Sequence, residues 1–183
     1  MSPRPLSFAL ATAALLACVP GALPGQATGE RLVTRLQGFD NVIALDTLVY
    51  ARAPLDASRA EALAAVREVY AALKLPKVVT DTVRGAVGNT QFSASTLLAG
   101  ERMSTYLRCG AGPSGENADY FRVTMAIATF VESDGAEKSR VGTGFAASAR
   151  DMGGAAKSPQ PCASTGLLEA RIATMVKERL ASR

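Results

Sequence analysis

The residues whose chemistry is easiest to read are the three cysteines, Cys18, Cys109 and Cys162. Cys18 closes the run Leu15-Leu16-Ala17-Cys18, which has lipobox spacing. Read that way, its thiol carries a lipid and Cys18 becomes the mature N-terminus. Leu16 stands where a lipobox favours a small residue. A rival cleavage site lies at Gly25-Gln26-Ala27, with small residues at the −3 and −1 positions before Thr28. Under either reading Cys109 and Cys162 are left as one pair, and in an oxidising compartment a Cys109–Cys162 disulfide is expected.

The rest of the usual catalytic set is thin. The chain has no histidine, so the Ser-His-Asp and Cys-His arrangements are impossible and zinc loses its main nitrogen ligand. No Ser-x-x-Lys motif offers a histidine-free nucleophile, and no ladder of aspartates suggests a calcium loop. Gly110-Ala111-Gly112-Pro113-Ser114-Gly115 spells GxGxxG, but Pro113 interrupts it and a strand pattern follows it. A dinucleotide site needs that loop to open a helix, so the expectation is an ordinary glycine-rich connection between strands. Glu101, Glu116, Asp119, Glu132, Asp134 and Asp151 fall mostly in loops or at strand ends. A pair of them can in principle do acid–base work, but their spacing brings no two together, and solvated surface charge is the expectation. No catalytic, cofactor or metal-binding residue is assigned.

The elements that must position the cysteines read as follows. Val42 to Ala53 is rich in apolar and β-branched residues and predicts a strand. Ser58-Arg59-Ala60-Glu61 has capping-box spacing, with Asp56 a rival cap, and opens a helix whose stripe is Ala62, Leu63, Val66, Val69, Tyr70 and Leu73. It should end near Lys74, before Leu75-Pro76. Val78–Thr80, Gln91–Ser95 and Ser104–Cys109 predict short strands, with turns at Gly85 and at Gly88-Asn89.

Tyr120 to Glu132 alternates strictly, with Phe121, Val123, Met125, Ile127 and Val131 on one face. Ser139 to Arg150 does the same with Val141, Thr143, Phe145, Ala147 and Ala149. Ser133-Asp134-Gly135 between them predicts a long antiparallel hairpin. The other face of the second strand is small: Gly142, Gly144, Ala146 and Ser148 lie there with Arg140. Such a face lets something approach closely. A helix is the expected cover, and a groove for a lipid-like ligand or a peptide is the alternative. Met152 to Gln160 reads as a loop. Ser164 or Thr165 then caps a closing helix with the stripe Leu168, Ile172, Met175, Val176 and Leu180.

The N-terminus carries Arg4, an apolar stretch from Leu6 to Ala17, and breakers at Pro20, Gly21, Pro24 and Gly25. The stretch is short of the roughly 20 apolar residues a membrane-spanning helix needs, so residues 1–27 are expected to be a signal peptide, ending at 17 in the lipobox alternative. Residues 28–41 show no period and read as a linker or loosely ordered segment, leaving 42–183 as a single domain. Removing Arg4 lowers the net charge from +4 to +3, with both signs mixed along the chain and no basic cluster, so nucleic acid is not expected as a partner. The chain holds no Asn-x-Ser/Thr sequon, in keeping with a bacterial source.

The fold class expected is α+β: an antiparallel sheet of about five to six strands with an N-terminal and a C-terminal helix packed on it. A strand, a helix ending in Leu73-Lys74-Leu75-Pro76, an antiparallel sheet and a closing helix beginning Leu167-Leu168-Glu169 resemble a helix-grip arrangement. Domains of this kind occur in exported bacterial lipoproteins, including the BamC-type accessory subunits of outer-membrane assembly. The resemblance covers Val42 to Arg183 and does not extend to the Cys109/Cys162 pair. The export signal, the missing catalytic residues and the sheet-plus-helix layout together lead to the expectation of a non-enzymatic binding or assembly module of the cell envelope, in the periplasm or outside the cell, or anchored to the outer membrane through Cys18. An envelope protein or an apolar ligand would be its partner. The alternatives are a histidine-free enzyme using carboxylates and a tethered structural lipoprotein.

Overall fold

A computed structural model describes residues 32–153 and 158–183. The signal segment, Cys18 and both cleavage sites lie outside the described residues, as does the middle of the Met152–Gln160 loop. Along the chain come β1 (Ala53–Leu55), α1 (Arg59–Ala72), β2 (Val79–Asp81), β3 (Ala86–Ala94), β4 (Leu107–Arg108), β5 (Arg122–Ser133), β6 (Ser139–Arg150), β7 (Gln160–Ser164) and α2 (Leu167–Ala181). The connections hold two-residue strands and single helical turns. The class is α+β, and the main sheet has seven antiparallel strands among the described residues, one more than the upper expectation.

The predicted hairpin is the centre of that sheet. β5 and β6 pair without a break from Arg122↔Arg150 to Ser133↔Ser139. The order across the sheet is β2-β3-β5-β6-β7-β4, and β1 also pairs with β6. β1 takes Ser139–Val141 and β7 takes Ala147–Ala149, so two strands share the outer edge of β6. Between them, Gly142–Ala146 has no strand partner on that side.

One face of the hairpin carries the large side chains. Val123, Met125, Ile127, Val131, Val141 and Phe145 pack with Val66, Val69 and Tyr70 of α1 and with Leu168, Ile172 and Val176 of α2. The helical stripes predicted from 3.6-residue spacing are the buried ones, with Met175 and Leu180 only half-buried. α1 starts where its capping box requires: the Ser58 N–H donates to Glu61 Oε2 at 2.9 Å, and the Glu61 N–H donates back to Ser58 Oγ at 3.4 Å. It stops at Leu73, where Lys74 turns into positive φ before Pro76.

The opposite face overturns an expectation. Neither α1 nor α2 covers Gly142, Gly144, Ala146 and Ser148; residues 32–51 do. Leu36 and Leu45 are buried there with Ala86, Ala126, Ala128, Phe130 and Ala146. A Cβ at Gly144 would collide with the Leu45 carbonyl, and one at Gly142 would meet the Val49 side chain and the Ala51 carbonyl. Ser148 Oγ donates to the Gln37 carbonyl, and Thr34 Oγ1 donates to the Thr90 carbonyl at 2.6 Å. The stretch read as a loose linker is therefore, from Leu32 on, part of the packed structure.

Four local readings are corrected by the same preference for tertiary contact over local pattern. Val42–Ala53 is not one strand: Ile43–Ala44 is extended, Leu45–Leu48 is a 3-10 turn, and pairing with β6 begins only at Ala53. Its apolar residues pack across a sheet face instead of joining an edge. Gly88-Asn89 is no turn but lies inside β3, where Gly88 lets the Ala128 backbone approach. Ser104–Cys109 begins with a helical turn, Met103–Tyr106, before the short β4. α2 is capped by Gly166 at φ 80°, while Thr165 Oγ1 accepts the Leu167 N–H at 3.4 Å.

Candidate functional site

The interrupted edge of β6 opens a cleft of about 230 Å³. Val141, Gly142 and Thr143 line it from the sheet, Tyr50–Ala53 from the strand approaching β1, and Gly166, Glu169, Ala170 and Ala173 from α2. The two alanines keep the helix surface low. The walls are mostly apolar, and Tyr50 stands 90% exposed among the lining residues. Arg52 is held away from solitary charge by Glu132, with Nε 3.1 Å from Oε1.

Glu169 is the carboxylate of the cleft. It sits in the first turn of α2, where a negative side chain suits the helix dipole. Oε1 accepts a hydrogen bond from Ser164 Oγ at 2.6 Å. Oε2 is buried and has no hydrogen-bond partner among the described residues. A buried acceptor left unpaired costs about 1–3 kcal/mol, and more if charged, so a donor that reaches Oε2 offsets that cost.

Behind the cleft runs a buried hydroxyl chain. Thr143 Oγ1 lies 2.7 Å from Thr129 Oγ1, which lies 2.9 Å from the Tyr70 hydroxyl. Burial pushes the Tyr70 hydroxyl well above the usual phenol range, the hydrogen bonds to Thr129 oppose this, and the charge of Glu169 adds to it. Tyr70 is thus a neutral phenol at ordinary pH, a fixed donor and acceptor.

The sequence-predicted residues lie elsewhere. Cys109 and Cys162 are joined, with Cα atoms 4.3 Å apart. β7 pairs with β4 through Ala163↔Arg108, so the bridge staples neighbouring strands one residue along from that pair. It is consistent with an oxidising, exported compartment. Gly110–Gly115 forms a small hairpin in which Ala111–Gly112 pairs with Gly115–Glu116, as expected of a connection between strands. The carboxylates singled out from sequence do not line the cleft. Asp119 accepts from the Ser104 N–H and Oγ, Glu132 holds Arg52, Asp134 holds Arg140, and Asp151 Oδ1 accepts the Gly153 N–H. Glu169 escaped the sequence reading because an acidic residue in a first helical turn is explained by the helix alone. Among the described residues no helix is long and apolar enough to cross a membrane.

Comparison with known proteins finds no matching family model and no matching curated protein.

Proposed function

We propose that the protein is an exported, non-enzymatic binding module of the bacterial cell envelope, and that the cleft between β1, β6 and α2 takes an apolar group carrying a hydrogen-bond donor. The observation that carries this reading is the buried, unpartnered Oε2 of Glu169, a residue that lines a mostly apolar recess. Among the described lining residues Glu169 is the one carboxylate, beside Arg52 and the Thr143 hydroxyl, a set that suits recognition better than bond-making. The disulfide and the N-terminal signal pattern support export. The element order, similar to that of helix-grip domains of exported lipoproteins, supports an envelope role.

Calorimetric titration with hexylamine and hexanoate tests the cleft. Hexylamine should bind and hexanoate should not, because only the amine satisfies Glu169. Glu169→Gln should weaken hexylamine roughly tenfold or more, the worth of a charge-assisted hydrogen bond. Equal binding of both probes, or of hexylamine to both proteins, would overturn the reading. Intact mass of exported protein decides the N-terminus. A start at Thr28 gives a soluble module, a lipidated Cys18 gives a tethered one, and a retained Met1 refutes export processing.

A further inference from the structure

We infer that the end of the β5–β6 hairpin far from its turn is a binding site for a phosphate-class oxyanion. At the turn end, the cross-strand pair Glu132↔Arg140 sets opposite charges against each other. At the far end, the pair is Arg122↔Arg150. Like charges directly opposite on a sheet are destabilising, so this pair works against the fold unless something neutralises it.

Nothing among the described residues does. Arg52, Arg84, Arg140, Arg179 and Arg183 each meet a carboxylate, and Arg59, Arg108 and Arg171 donate to backbone carbonyls. Arg35, Arg67 and Arg102 make neither contact among the described residues, but none of them faces another arginine across the main sheet. Arg122 and Arg150 make no ion pair and no side-chain hydrogen bond among the described residues. The nearest carboxylate along the chain, Asp151, accepts the Gly153 N–H.

The two arginines border a recess of about 130 Å³ together with Gln37, Thr124 and Ser148. Thr124↔Ser148 is itself a cross-strand pair two residues along, so arginines and hydroxyls share one sheet face. Ser148 Oγ is committed as a donor to the Gln37 carbonyl, and Thr124 Oγ1 shares a hydrogen bond with Ser93 Oγ at 3.1 Å. Two guanidinium forks above a polar floor suit a tetrahedral oxyanion, since each fork can give two parallel N–H bonds to its oxygens. Met152, 62% exposed, and Pro159 also line the recess. The same phosphate chemistry therefore fits either a free ion or a lipid headgroup with its apolar part against that rim.

The test uses the exported, disulfide-bonded protein. Inorganic phosphate should raise its melting temperature in a saturable way that chloride at equal ionic strength does not match. Arg150→Gln and Arg122→Gln should each weaken phosphate by about tenfold or more. In phosphate-free buffer both should melt at or above the wild-type temperature, because the repulsion is gone. A phosphate response with these properties assigns the site to a free ion. No phosphate response, but sedimentation with phosphatidylglycerol vesicles and not phosphatidylcholine vesicles, lost in both variants, assigns it to a headgroup. A rise matched by chloride, binding that survives both substitutions, or no response in either arm would overturn the proposal.

Discussion

The two faces of the β5–β6 hairpin are both buried, and they are buried in different ways. On one, large side chains meet two amphipathic helices, and contact is side chain against side chain. On the other, glycine and alanine thin the sheet until the backbone of residues 32–51 can lie on it. The first face derives its stability from apolar area, at about 25 cal/mol per Å² removed from water. The second depends on fit, because a missing Cβ cannot be exchanged for a present one without moving a main chain. A strand face of small residues therefore says that something comes close, and leaves open whether a helix, a ligand or the chain itself does so.

Substitutions can break or sharpen that contrast. Ile172→Asp puts an unpaired charge into the helical face and should cost on the order of 3–5 kcal/mol, enough to unfold a marginal domain. A melting temperature within a degree or two of wild type would show that α2 is not core. The disulfide belongs to the same side, since Cys109 and Cys162 are both in the helical core. Loop-closure entropy for a separation of 53 residues gives about 4 kcal/mol. Reductant and the Cys109→Ser/Cys162→Ser double variant should lower the melting temperature alike, and free thiols in exported protein would contradict the bridge.

Gly144→Ala tests the other face through its sign. At an open position the added methyl is neutral or favourable in restricting the unfolded chain. Here it should destabilise by about 1–3 kcal/mol, the cost of overpacking, because it strikes the Leu45 carbonyl. A neutral or stabilised variant in urea unfolding would mean that residues 32–51 do not seat on the sheet.

Tyr70→Phe is the mildest. It removes one buried hydrogen bond while Thr129 keeps Thr143, a loss of about 0.5–1.5 kcal/mol. It also changes the alkaline limb. Tyr70 is raised in the folded state, so its contribution is complete below the unfolded phenol value of about 10 and is lost as pH climbs beyond it. The wild type should therefore lose stability above about pH 10 more steeply than the variant does.

What could be read in the sequence follows the same division. The Ser58/Glu61 capping box, the stripes of α1 and α2, the alternation around Ser133-Asp134-Gly135 and the cysteine pair are local or compositional signals, and the structure contains each of them. The cover over Gly142 and Gly144 left no such trace. It is made partly by main-chain atoms, the Leu45 and Ala51 carbonyls among them, and its hydrogen bond from Ser148 to Gln37 spans 111 positions. Leu45–Leu48 looked like strand because apolar, β-favouring residues cannot announce whether they will pair at an edge or lie across a face. Gly88 looked like a turn for the same reason, since a glycine that admits a neighbouring backbone and one that reverses a chain are spelled alike. Glu169 was visible only as a helix-end charge; its role as a cleft acceptor requires β1, β6 and α2 to be in place together.

The seating of residues 32–51 also sets an order of events in folding. This segment leaves the ribosome early, yet its seats at Gly144, Ala146 and Ser148 are made about a hundred residues later. Contacts that distant form slowly, because the entropy of closing the intervening chain is lost before any of them is gained. The β5–β6 hairpin can form from its own two strands first, with the thin face of the sheet still wet. Closure of that face is then a late and separable step, and amide exchange should find the protons of Thr34–Leu45 less protected than those of Val123–Val131.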